Sequence, residues 1–385
     1  MILAVRRGSS IRRVAKRFGV SHTTVRRWAA KARRRRLERL DLSNRPPGCR
    51  RAPNRTRRRV ERAIVSLRRQ LQQHSALGEH GAVAIHRQLQ VRGSAPPPGV
   101  RTIGRILLRN GLLDGRRRVR RAPPPRGWYV PEVAAGQAEI DSFDTITDLV
   151  IKGGQDVTVL NGISLHGGLP GSWPQAKITA KIVVEKLLEH WRRHGCPGYA
   201  KFDNDTVFQG AHQWPDSFGR VIRLCLQLGV TPVFAPPREP GFQAEVEAFN
   251  GRWERSVWRR FVHPGLRALQ RRSQAFVAAS LAKSASRIAA APVRTPVPPD
   301  FVPDWQRPLQ GTVIFLRRTD PEGRVECLGH RWLVDGNWPH RLVRIEVDLT
   351  AGQVTLHTLR RREPASQPLV KRLKYEAPQQ HFIDI

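Results

Sequence analysis

Basic charge is crowded into one end of this chain, and that segregation limits what it can fold into more than any single motif does. Residues 1–135 hold 35 Lys+Arg against 6 Asp+Glu, a net +29, while the remaining 250 residues carry about +8 of the total +37. So cationic a segment repels itself unless a polyanion neutralises it, which makes nucleic acid the expected partner. Hydrophobic residues make up 39% of the chain, enough for a real core, so wholesale disorder is excluded. No apolar run approaches the ~18 residues of a membrane span, and no apolar signal region follows Met1. The expectation is therefore an intracellular, nucleoid-associated cytoplasmic protein with no membrane partner. Cys49, Cys196, Cys225 and Cys327 form no CxxC pair, which argues against a disulfide framework or a zinc finger. His190, His194 and Cys196 read as a polar helix end rather than a ligand set.

Proline clusters at Pro46-Pro47, Pro96 to Pro98, Pro123 to Pro125 and Pro292 to Pro303 mark the joints, since consecutive prolines sustain neither helix nor central strand. The expected organisation is a helix-turn-helix domain over 1–44, then a basic linker and second helix-turn-helix domain over 45–134. An α/β core over 135–290, a small β-barrel over 305–360 and a basic tail over 361–385 follow.

In the first block, Ile11, Val14, Ala15 and Phe18 recur at helical spacing, Gly19-Val20 makes a turn, and Ser21 is a good N-cap. The second helix turns Val25 and Trp28 inward and leaves His22, Thr23, Thr24, Arg26 and Arg27 outward. Small polar and basic side chains on the first turns of a helix suit the major groove of double-stranded DNA. A similar pattern over 79–113 pairs a helix bearing Val83, Ala84, Ile85 and Leu89 with one over Val100 to Leu108, ended by Gly111. Arg101 is its candidate DNA contact, and the arginine-rich span 50–69 joins the two units.

The middle block alternates strand and helix signals: Gln137 to Phe143, Val157 to Leu165, an amphipathic helix from Ile178 to Trp191, then Tyr199 to Phe202 running into Asp203-Asn204-Asp205. Leu224 to Leu228 closes a further helix, Val230 to Phe234 forms a strand, and Gln243 to Arg260 is a late helix bearing Glu245, Glu247 and Asn250. Carboxylates in such a layout converge at the carboxyl edge of the sheet. A cluster of them is costly unless hard divalent cations lie between, and oxygen-only ligation favours Mg2+ or Mn2+.

Three segments together resemble the insertion-sequence DDE transposases with a retroviral-integrase-like catalytic core. They are Glu139-Ile140-Asp141-Ser142-Phe143-Asp144; Lys201-Phe202-Asp203-Asn204-Asp205 with Phe208 beyond; and the segment from Pro240 to Asn250 containing Glu247-Ala248-Phe249-Asn250. The resemblance implies an α/β ribonuclease-H-like core, a mixed sheet with flanking helices, preceded by helix-turn-helix domains and followed by a small β-barrel. It implies Asp141, Asp203 and Glu247 as catalytic metal ligands, with Asn250 one turn on in support. Asp144 is the alternative to Asp141, because strand alternation puts the two on opposite faces and only one can serve. Glu245 is the alternative to Glu247. The implied function is binding of terminal inverted repeats, metal-dependent end cleavage and strand transfer by a homo-multimer. The competing expectation is a DNA-binding regulator without catalysis. Forty-three residues separate Asp203 from Glu247, more than the integrase pattern has, with the surplus expected around His212 to Phe218.

Overall fold

The computed structural model describes residues 1–33, 36–39, 56–93, 96–113, 126–211, 214–239 and 241–377. The expected turn at His212, the Pro46-Pro47 joint, Cys49 and the Arg116 to Arg118 run lie wholly or partly outside the described residues. The chain divides into two compact units after Arg58.

The first unit is helical: α1 Ile2–Arg6, α2 Ile11–Phe18 and α3 His22–Ala32. Ser10 caps α2, accepting from the Arg13 amide at 3.4 Å, and Ser21 caps α3, accepting from the Thr23 amide at 3.3 Å. Gly19 ends α2 with φ +62°, a left-handed turn that glycine adopts without strain. Val14, Ala15 and Val25 form the small core, closed by Met1, Ala4, Val5 and Ile11. Two expected core residues sit elsewhere. Phe18, the last residue of α2, is 46% exposed, and Trp28 is only half-buried, with Arg27 and Lys31 against its ring.

The second unit begins with α4 Arg58–His74, α5 Ala82–Val91 and α6 Val100–Arg109. Much of the span expected as a basic connector is therefore the helix α4, whose Ile64 and Leu67 pack with Ile85, Ile103, Ile106 and Leu107. Val83 points outward, 66% exposed. After α7 Pro131–Ala134 comes β1 Ile140–Val150, β2 Asp156–Ser164 and β3 Pro170–Gln175, an antiparallel run. Then α8 Ala180–His194 crosses to β4 Tyr199–Phe202, parallel to β1. The short α9 Thr206–Gln209 and α10 Arg220–Gln227 precede β5 Thr231–Phe234, parallel to β4. Last come α11 Ala244–Trp253, prolonged by a wider turn over Glu254–Trp258, and α12 Leu266–Ala289. The 24-residue α12 was not read from the sequence.

Helices cover both faces of this mixed sheet. On one, Val183, Leu187 and Trp191 of α8 and Val221 and Leu224 of α10 bury Phe143 and Phe202. On the other, Val246, Phe249 and Trp253 of α11 and Leu269 and Phe276 of α12 bury Val157, Val159 and Ile163. Gly162 stands opposite Phe143 in register, and a Cβ there would lie 2.5 Å from the Phe143 ring, so the close crossing needs glycine.

The carboxyl-terminal strands are β6 Thr312–Arg318, β7 Arg324–Cys327, β8 His330–Leu333, β9 Leu342–Asp348, β10 Gln353–Leu359 and β11 Leu369–Lys374. Among the described residues they do not close the small barrel expected over 305–360. Among the described residues β6 pairs with β5 through Val233–Ile314 and Phe234–Phe315, and β9, β10 and β11 continue the same sheet, while β7 and β8 form a separate hairpin. The order is β11-β10-β9-β6-β5-β4-β1-β2-β3, with no pairing of β11 back to β6. Part of the expected basic tail is thus the edge strand β11, whose lysines are the kind of residue that discourages further strand pairing.

Candidate active site

The site is built where β1, β4 and α11 come together. Asp144 lies on β1 opposite Asn161 of β2, on the face covered by α11. One of its carboxylate oxygens accepts from the Thr145 amide at 2.9 Å, and the other accepts from Nδ2 of Asn250 at 2.8 Å. Asn161 in turn donates to Oδ1 of Asn250 at 2.9 Å. This buried amide chain ties β2, α11 and β1 together, with Asn250 between Asn161 and Asp144. The Asn161 signal was present in the sequence, as one polar residue inside the apolar run Val157 to Leu165.

Asp203 follows β4 directly, and its Oδ1 accepts from the Asp205 amide at 3.0 Å. Asp205 caps α9 through the Val207 amide at 3.0 Å, and Asn204 donates to the Ala235 carbonyl at 2.7 Å beyond β5. Phe208 is fully buried and stacks on Phe202 at 5.1 Å, which pins the turn bearing Asp203. Glu247 is exposed on α11, one turn before Asn250. Glu245 instead forms an ion pair with the buried Lys201 at 3.1 Å.

These carboxylates share a field. Burial first, then the charge of Asp203, and more weakly that of Glu247, push the Asp144 carboxyl up to about 6. Burial, with Asp205 adding repulsion, also raises Asp203. The first expected ligand behaves differently. Asp141 is 1% exposed and faces α8, where Arg294 meets it with two bonds of 3.0 and 2.5 Å and Trp191 donates Nε1 at 3.1 Å. Asp144, rather than Asp141, thus lies in the field of Asp203 and, more weakly, of Glu247. The physical reason is that Arg294, just after α12, already neutralises Asp141 inside the protein. Nothing near β1 in the sequence announces that partner.

Carboxylate oxygens are the donor type that hard divalent cations take. The site is not a closed cage: among the described residues no three His, Cys, Asp or Glu side chains form a group that could hold an ion. At the His190 end of α8, burial holds the His190 imidazole down to about 3, and its ring lies 5.0 Å from that of His194.

The surplus between Asp203 and Glu247 has a visible use. Asp216, with φ +54°, accepts from His330 at 2.9 Å and from the Tyr375 hydroxyl at 2.6 Å, clasping the β7–β8 hairpin and the segment after β11.

The residues expected on DNA are placed outward. His22, Thr23, Arg26 and Arg27 are exposed on α3, Thr24 is half-buried, and Arg101 is exposed on the first turn of α6. Among the described residues no helix is long and apolar enough to cross a membrane.

Residues 1–41 match a homeodomain-like domain family. The amino-terminal unit is thus a helix-turn-helix of homeodomain-like kind. No curated protein matches the chain. Similar solved structures include a chain of the simian T-cell lymphotropic virus intasome in complex with PP2A regulatory subunit B56 gamma, 13% identical, covering 71% of this chain and 88% of that one at a TM-score of 0.33. The BIV integrase catalytic core domain is 18% identical over 37% of this chain and 81% of its own, TM-score 0.26. The HTLV-2 integrase catalytic core domain, solved with magnesium, is 12% identical over 36% and 82%, TM-score 0.26.

Proposed function

We propose that this chain is a DDE-type DNA transposase, a polynucleotidyl transferase that binds the terminal inverted repeats of a mobile element and carries out metal-dependent end cleavage and strand transfer. The observation that supports the reading is that Asp144, Asp203 and Glu247 lie on or directly after β1, β4 and α11 of a mixed α/β sheet, where among the described residues none of them forms an ion pair and the Asp203 charge raises Asp144. The helix-turn-helix unit at its amino terminus and the net charge of +37 supply the grip on DNA.

In this reading the exposed face of α3, with Arg26 and Arg27, enters the major groove, and arginines of the basic third neutralise phosphates. Asp144, Asp203 and Glu247 would be the residues to hold Mg2+ or Mn2+, and such an ion would supply activation of a water and charge stabilisation of the leaving oxygen. Asn250 keeps Asp144 turned toward Asp203, and the Phe202–Phe208 stack holds the Asp203 turn. Water displaces a 3′-oxygen from the phosphodiester at the element's end, leaving a 3′-hydroxyl and a 5′-phosphate. That hydroxyl then displaces a 3′-oxygen of target DNA, exchanging one phosphodiester for another. Joining two ends in one event calls for a homo-multimer on DNA.

The test is end cleavage and strand transfer on labelled terminal-repeat DNA with Mg2+ or Mn2+, beside Asp203→Asn. Products from the parent and none from a DNA-binding Asp203→Asn protein are expected. The second reading, a DNA-binding regulator without catalysis, is favoured by the open geometry of the carboxylates, and specific binding with no cleavage by either protein would establish it.

A further inference from the structure

Lys201 is a buried cation beside the carboxylate centre with no part in it so far. Lys201 lies on β4, two residues before Asp203, and is 1% exposed. Its Nζ donates to the Tyr129 hydroxyl at 2.8 Å, to the Phe242 carbonyl at 2.5 Å and to Oε2 of Glu245 at 3.1 Å. An ammonium has three donors, and all three are used. The partners come from two places. Tyr129 belongs to the segment that leads into α7, and Phe242 and Glu245 flank the start of α11.

Burying an ammonium is costly even when it is paired, and a hydrocarbon of similar volume commonly serves stability as well or better. What the lysine adds is direction, since three bonds fix the approach to α11 against β4. The surroundings are arranged for that approach. Gly241 takes φ +90°, which lets Phe242 turn inward, and the Phe242 ring packs 5.4 Å from Tyr129 and 5.9 Å from Trp128. Lys201 thus bridges β4, which ends at Asp203, and the first turn of α11, which carries Glu247. Among the described residues the Glu247 side chain makes no ion pair of its own, so its place depends on where the helix is held.

We propose that Lys201 is a positioning residue of the carboxylate centre, whose buried ammonium fixes the first turn of α11 on β4 and so sets Glu247 relative to Asp203. The proposal rests on the catalytic reading above. Asn250 holds the second turn of the same helix through Asp144 and Asn161, so loss of Lys201 frees the start of α11 while its later residues stay seated.

The experiment compares the full chain with Lys201→Met and Tyr129→Phe, the second keeping the aromatic packing while removing one acceptor. Amide hydrogen exchange is read over 244–250 against β1 and β4, and end cleavage is read as kcat and KM. Lys201→Met should exchange about 10-fold faster over 244–250 with β1 unchanged, a local opening rather than a global one. Its kcat should fall about 100-fold with KM within about 2-fold, as expected for misplacement of a group near the chemistry. Tyr129→Phe should move both readouts in the same direction by less, and it carries the test if Lys201→Met fails to fold. Unchanged exchange over 244–250, or a uniform rise across the core with the kcat of the folded protein intact, would overturn the proposal. If the parent itself does not cleave, the catalytic reading fails, and the exchange arm alone decides whether Lys201 holds α11.

Discussion

Two aspartates three residues apart on β1 look to opposite faces of one sheet, and the two faces treat a carboxylate in opposite ways. Toward α8, Asp141 meets the two-pronged guanidinium of Arg294 and the indole N–H of Trp191. Its charge is balanced within the protein, and the pair ties β1 to the segment after α12. Toward α11, Asp144 meets an amide from Asn250 and the charges of Asp203 and Glu247. Among the described residues no cation pairs with it. Of two similar residues in similar sequence, the one already satisfied is architecture, and the one left in need of a cation is the candidate for chemistry.

The largest effect should come from unbalancing the satisfied side. Arg294→Met leaves Asp141 buried without its cation, and removing one member of such a pair costs about 3–5 kcal/mol. Urea denaturation followed by circular dichroism measures it, and a loss under about 1 kcal/mol would mean that Asp141 is not held by Arg294 in solution.

A smaller effect, opposite in sign, belongs to the other face. A carboxyl whose folded pKa is raised to about 6 favours its protonated form in the native state. Its stabilising contribution is complete below the ordinary aspartate range and is lost as pH rises through about 6. Asp144→Asn should therefore be more stable than the parent by about 1–3 kcal/mol near neutral pH, and the advantage should vanish near pH 4. Thermal melts across that range check it, and a variant less stable than the parent at neutral pH would break the contrast between the faces.

Much of this was legible in the sequence because it is local. Ser21 and Gly19 announce the turn of the first unit, the apolar run Val157 to Leu165 gives β2, and Tyr199 to Phe202 delivers Asp203 to the end of a strand. Alternation along β1 also says that Asp141 and Asp144 cannot share a face. Which of the two is neutralised within the protein is not local information. It is decided by Arg294, some 150 residues on and after a helix whose weak amphipathic pattern hid it. The pairing of β6 with β5 was out of reach for a related reason. Alternating strands predict a sheet, but whether the sheet closes or joins its neighbour depends on the edge β5 offers to β6. Lys201 left a faint mark, a lysine in an otherwise apolar strand, whose meaning appears only when Tyr129 and Glu245 arrive beside it.

The most direct measurement sets the two faces against each other in one assay: cleavage of labelled terminal-repeat duplex in Mg2+ by the parent, Asp144→Asn and Asp141→Asn, each with its DNA affinity and at a temperature where all three are folded. The account predicts that Asp144→Asn binds DNA like the parent but cleaves at least ~1,000-fold more slowly, while Asp141→Asn keeps its rate within ~10-fold. Cleavage at the parental rate by Asp144→Asn, with a folded and DNA-bound Asp141→Asn inert, would contradict it.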